Sequence, residues 1–248
     1  MLKNEYKLQA KVLLSGKWVK SIVFTLLTFF YIIISILLVD IIASIFYNNI
    51  ITGLLLFLDV FIILPILYSS TVLIKNINTK KNTYNYSDLI KIAILNFKRI
   101  LKIHGVLFIE TLPYIILFIF FFILFIWSIL QNIYIYFVHQ TFAINILLYL
   151  IIGFIFTVIF LHILIKKWFL SLISSFVLDN NSTLNTLSVL KESKILLKNN
   201  KKKFFELFSS FSLLAMFSIF TLGIGFIVLL PYMKLSFYLL YETIILKK

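Results

Sequence analysis

Residues 221–244 read TLGIGFIVLLPYMKLSFYLLYETI, a stretch of lipid-crossing length that carries two glycines, a proline, a lysine and a glutamate. Whether that is a soluble core helix or a membrane span depends on the solvent for which the whole chain is built. Of its 248 residues, 62% are hydrophobic, 18% aromatic and 13% charged, and the mean hydropathy is +1.09. A soluble domain is about half apolar. The composition is that of an integral membrane protein, and 221–244 is read as its last span.

A hydrocarbon core of roughly 30 Å takes about 20 residues of helix. Six stretches qualify: 21–46, 51–74, 105–130, 141–165, 204–222 and 225–246. The fold expected is an all-α polytopic bundle forming a single membrane domain over 1–248. The first apolar run is too long for the hydrophobic region of a signal peptide and stays as a span.

Loops left in the cytoplasm collect lysine and arginine, so charge tests this count independently. The N-terminal segment holds Lys3, Lys7, Lys11, Lys17 and Lys20, and the second inner segment holds Lys75, Lys80, Lys81, Lys91, Lys98, Arg99 and Lys102. The third holds Lys166, Lys167, Lys191, Lys194, Lys198, Lys201, Lys202 and Lys203, and Lys247 and Lys248 close the chain. The alternate segments NNIITG, QNIYIYFVHQ and TLGIG carry no Lys or Arg. Both termini are therefore expected in the cytoplasm. The net charge of +14 then describes a basic inner surface of the cell membrane rather than a nucleic-acid site, since no aromatic-interleaved binding motif accompanies it.

Three inner segments have amphipathic patterns: 2–15, 87–103 and 183–199. In the second, Ser87 or Asp88 can cap a helix, Ile90, Ile94, Phe97 and Leu101 recur on one face, and Gly105 follows. Such helices suit the anionic inner leaflet, with a docking surface for a soluble partner as the alternative.

The six-span count leaves Lys234 about 13 Å inside the last span, where a lone lysine costs roughly 2.5–3.5 kcal/mol. Asp59, at about 12 Å in the second span, is the expected partner, as a direct pair or within a shared polar cluster with Tyr238 and Tyr241, and Pro231, Lys234, Tyr238 and Tyr241 share one helical face, assigned inward. Glu110 and Glu242, with His162 and Lys166 near them in depth, form an expected inner-leaflet layer. These groups either fix helix register or line an ion, proton or substrate path. Pro65, Pro113 and Pro231 each follow a leucine and are expected to kink their spans.

Little chemistry is available beyond this. The chain has no cysteine, His104, His139 and His162 are scattered, and no hydrolase, zinc-protease or nucleotide-binding motif occurs. No catalytic residue, cofactor or metal is expected.

The segments LKNEYKLQAKVLLSGKWVKSI, FVLDNNSTLNTLSVLKESKILLKNN, FFELFSSFSLL and FTLGIGFIVLLPYMKLSFYLLYETI resemble a family of polytopic membrane proteins of low-GC Gram-positive bacteria, known as a domain of unknown function. The resemblance is strongest over about seventy C-terminal residues. It departs at Asn199 and Asn200, where the family often has glycine, and at Ala215 and Met216, where it has a tryptophan-containing segment. It implies an all-helical bundle and brings no activity with it. The expected role is an accessory or scaffolding subunit of a membrane assembly, in envelope stress or bacteriocin self-protection, acting with a membrane protein partner or as a homo-oligomer. The alternative is a small transporter or lipid-handling protein.

Overall fold

The computed structural model describes residues 3–46, 59, 63–76, 85–139, 145–180, 184–221 and 223–246. Among these, every regular element is helical: α1 Lys3–Leu14, α2 Trp18–Phe46, α3 at 63–76, α4 Asp88–Leu95, α5 Phe97–His139, α6 Asn145–Asn180, α7 Thr186–Ser209, α8 Ser212–Phe220 and α9 Ile224–Leu246. Four of them (α2, α5, α6 and α9) contain stretches long and apolar enough to cross a membrane, and the bent pair α7 and α8 makes a fifth. Residues 51–58 and 60–62 of the second predicted span lie outside the described residues, as do Lys80, Lys81, 140–144, Lys247 and Lys248.

The chain divides into two compact units, residues 1–104 with 172–248, and residues 105–171. In the first, α9 is the central element and packs against α1, α2, α7 and α8. That explains its even apolar character. From Leu235 to Tyr241 every side chain is buried, so no single inward face exists over these residues and the predicted assignment of one to Tyr238 and Tyr241 is too narrow.

Helices α1 and α7 turn an apolar stripe onto protein, whereas over α4 and the start of α5 the predicted face fails: Ile90, Ile94 and Phe97 are exposed and the neighbouring stripe is buried instead. In α1, Tyr6, Ala10 and Leu14 repeat every four residues and are buried, and the helix ends at Gly16, whose φ of +74° suits glycine. In α4, Leu89 and Ala93 are buried, Leu89 in one cluster with Phe24 of α2 and Leu73 of α3. In α7 the buried face includes Val189, Leu190, Leu196 and Leu197. Burial of such stripes is the main driving force available outside the bilayer, about 25 cal/mol per Å².

Several predicted boundaries move: α5 continues to His139 and α6 to Asn180, past the expected ends at 130 and 165. Helix α5 runs through Gly105, joining the predicted inner helix to the predicted span over 43 residues, about 65 Å. A glycine costs a helix only about 1 kcal/mol, which tertiary and lipid packing override. The predicted span 204–222 is not one straight helix either, because α7 and α8 meet at a 40° bend. Three serines explain the break: Ser209, Ser210 and Ser212 donate their hydroxyls to the carbonyls of Glu206, Leu207 and Ser209 at 3.0, 2.6 and 2.7 Å. Such back-bonding competes with the helical ladder and bends helices. Lys7 of α1 donates to the Ser210 carbonyl at 3.0 Å and sits 4.6 Å from the Phe211 ring centre.

In the second unit, α5 and α6 run antiparallel through stacked phenylalanines, Phe118 on Phe160 at 4.2 Å and Phe121 on Phe156 at 3.6 Å. Most of their other apolar side chains are exposed, as a lipid-facing surface would be.

Candidate functional site

The polar interior of the first unit begins where α3 ends. Lys75, 3% exposed, extends its ammonium to Asp179 Oδ2 at 2.5 Å and to Asn180 Oδ1 at 2.7 Å, both on the last turn of α6. The same ammonium lies 4.8 Å from the Tyr238 ring centre on α9. Around it the chain of contacts continues: Asn180 Nδ2 donates to Tyr241 Oη at 3.4 Å, and Tyr238 Oη donates to Glu242 Oε1 at 3.4 Å. Phe176 covers both tyrosines, 5.4 Å from each. One lysine thus ties three helices that are remote in sequence.

An ammonium in such a place is strongly unfavourable unless it is both neutralised and hydrogen-bonded. Here a carboxylate, an amide oxygen and an aromatic face surround Lys75, three ligand types that stabilise a desolvated cation. Asp179 and Lys75 were not singled out from sequence, because each closes an apolar run and counts there as a boundary charge. The usable signal was Asp179 itself, an acid at the end of LISSFVLDN in a segment otherwise rich in lysine.

The predicted partnership of Lys234 with Asp59 does not form. Lys234 Nζ donates to Ser70 Oγ at 2.9 Å, and no ion pair joins it to Asp59. Ser70 lies eleven residues beyond Asp59, so counting depth from two apparent span starts misjudged which residue stands level with Lys234. Asp59 is itself 3% exposed, and its Oδ1 has no hydrogen-bond partner. Asn76 Oδ1, next to Lys75 in the chain, is the other buried side-chain oxygen in that condition among the described residues. The first unit also buries hydroxyls: Thr25 and Thr28 of α2 donate to their own helix, and Ser69, Ser70 and Ser236 are fully buried.

The predicted inner layer separates into different contacts. Glu110 accepts from Lys167 at 2.7 Å in the second unit, where Lys166 had been placed near it, while His162 of the same unit is exposed. Glu242 belongs to the first unit, with Tyr238. The helices continue through Pro113 and Pro231, and Pro65 is buried within α3. Within α7 the backbone leaves the helical range at Asn200, with φ −125° and ψ 18°.

Among the described residues no three His, Asp or Glu side chains converge on a metal-sized site. The second unit holds a groove of about 520 Å³ between α5 and α6, lined by side chains such as Phe118, Phe122, Phe125, Ile151 and Phe154. It is almost wholly apolar. The first unit therefore offers paired charges and hydroxyls, and the second an aromatic surface. Comparison with family models, with curated proteins and with solved structures finds no match for the chain.

Proposed function

We propose that the chain is a multi-pass protein of the cell membrane, with six spans and both termini in the cytoplasm, that serves as a non-enzymatic accessory or scaffolding subunit of a membrane assembly. The observation that carries this reading is the closure of the Lys75 node. Its buried charge is satisfied by Asp179, Asn180 and Tyr238, which is how a bundle fixes the register of its helices. The placement of 22 of the 23 basic residues in alternate segments supports the orientation. The long, sparsely covered helices α5 and α6 supply the face on which a membrane protein partner, or a second copy, would pack. Envelope stress or bacteriocin self-protection is the setting we favour, and nucleic acid has no part in it.

A second reading, a small transporter or lipid-handling protein, is favoured by Asp59 and Lys234. One has an unpaired buried oxygen and the other a hydroxyl for its partner. Buried ionisable groups in that condition are where membrane proteins handle ions and protons. Purification from native membranes in mild detergent, followed by mass spectrometry of bound proteins and lipids, separates the two. A stoichiometric protein partner supports the subunit, and a lone chain carrying a defined lipid or solute supports transport.

A further inference from the structure

Helix α7 presents a stripe of lysines to the outside. Lys191, Lys194, Lys198, Lys201 and Lys202 recur at three-, four- and seven-residue spacings and are all exposed. Up to Asn200, where the backbone leaves the helical range, Lys191, Lys194 and Lys198 fall on one side at 3.6 residues per turn, opposite the buried Val189, Ser193 and Leu196; beyond it Lys201 and Lys202 stay exposed while Phe204 is buried. Three bulky apolar side chains stand in the same stripe: Leu187, Ile195 and Phe205 are 54%, 46% and 49% exposed. The helix's two acids, Glu192 and Glu206, fall to one side of it.

We propose that this stripe, about 27 Å long, lies on the surface of an anionic phospholipid leaflet, the lysines against lipid phosphates and Leu187, Ile195 and Phe205 sunk into the headgroup boundary. Charge complementarity and continuity both argue for lipid over an acidic protein or RNA. The interleaved apolar side chains gain nothing from a polyanion in water but are buried at a bilayer surface. About two turns beyond the stripe the chain enters α8, whose Leu213, Phe217, Ile219 and Phe220 are 65–78% exposed and need hydrocarbon around them. The lysines are thereby held at the level where anionic headgroups lie. This reverses the orientation expected from sequence: the more apolar face of α7 is covered by protein, and the lysine face meets the lipid.

The inference rests on the membrane placement proposed above, and its test keeps the two apart. The full-length protein is reconstituted into nanodiscs of phosphatidylcholine alone or mixed with phosphatidylglycerol. Hydrogen exchange is followed over 186–203, and retained lipid is identified by native mass spectrometry. The wild type retains phosphatidylglycerol and protects α7 in its presence, an effect that added salt weakens. A variant combining Lys191→Gln, Lys194→Gln, Lys198→Gln and Lys202→Gln lowers the preference by about tenfold or more, each lysine near a charged leaflet being worth about fivefold. The corresponding Lys→Arg variant restores it. Equal protection in both discs, or an unchanged preference in the glutamine variant, overturns the proposal while leaving the membrane placement intact. So does protection of α7 by a co-purified acidic protein or RNA without any response to phosphatidylglycerol. Failure of the wild type to stay in either disc overturns the placement itself.

Discussion

Lys75 and Asp179, 104 residues apart in the chain, meet at 2.5 Å beneath Phe176 and Tyr238. This pair joins the end of α3 to the end of α6, and its surroundings join both to α9. Removing either partner leaves the other charge buried, which costs about 3–5 kcal/mol. Lys75→Ala and Asp179→Ala are each expected to lower stability in detergent by that order, with the double variant well short of the sum. Unfolding curves for the four proteins of the cycle check this.

For Asp59 and Lys234 the opposite holds. Lys234 donates to Ser70 and Asp59 Oδ1 has no hydrogen-bond partner, so the two residues are expected not to couple. The changes caused by Asp59→Asn and Lys234→Met are expected to add within about 0.5 kcal/mol, as for sites without shared partners. A coupling above 1 kcal/mol, on the order seen for residues in contact, would return Asp59 to the role of counter-ion.

The turn between α8 and α9 depends on Gly225. A Cβ placed there would lie 2.6 Å from Ser218 Oγ and 2.8 Å from Ser218 Cα, and the second contact is with backbone, which cannot swing away. Gly225→Ala is expected to cost about 1–3 kcal/mol, the usual range for overpacking. Adding Ser218→Ala should recover only part of it. Full recovery would mean that the hydroxyl alone sets the approach.

Because the chain has no cysteine, single introduced cysteines report topology without background. With both termini inside, Asn199→Cys reacts with an impermeant thiol reagent only after the membrane is opened, and Gln131→Cys reacts from outside on intact cells. The reverse pattern would invert the orientation.

The apolar content and the positions of most helices were legible because each rests on local runs: α1 came within a residue or two of its predicted 2–15, and α9 within a residue of 225–246. What failed was what depends on tertiary partners. Nothing local distinguishes a Gly105 that stops a helix from one that a 43-residue helix runs through. The bend before Ser212 was written in FSSFS, but hydroxyl back-bonding competes with an apolar pattern that reads as one span. Among the site residues, Tyr238, Tyr241 and Glu242 were found from their place on the last helix, whereas Lys75 and Asp179 looked like boundary charges. Their pairing is a long-range contact, and no periodicity within either segment encodes it.

We read the polar interior of the first unit as a closed fastening and not a water-filled path. Ser70, fully buried and in contact with Lys234, is the position to probe, as Ser70→Cys changes one atom in a chain free of other thiols. Its reaction with a water-soluble methanethiosulfonate reagent is followed in intact membrane vesicles and after denaturation. A closed interior predicts labelling only after denaturation. Rapid labelling in the folded protein would put water beside Lys234 and contradict the account.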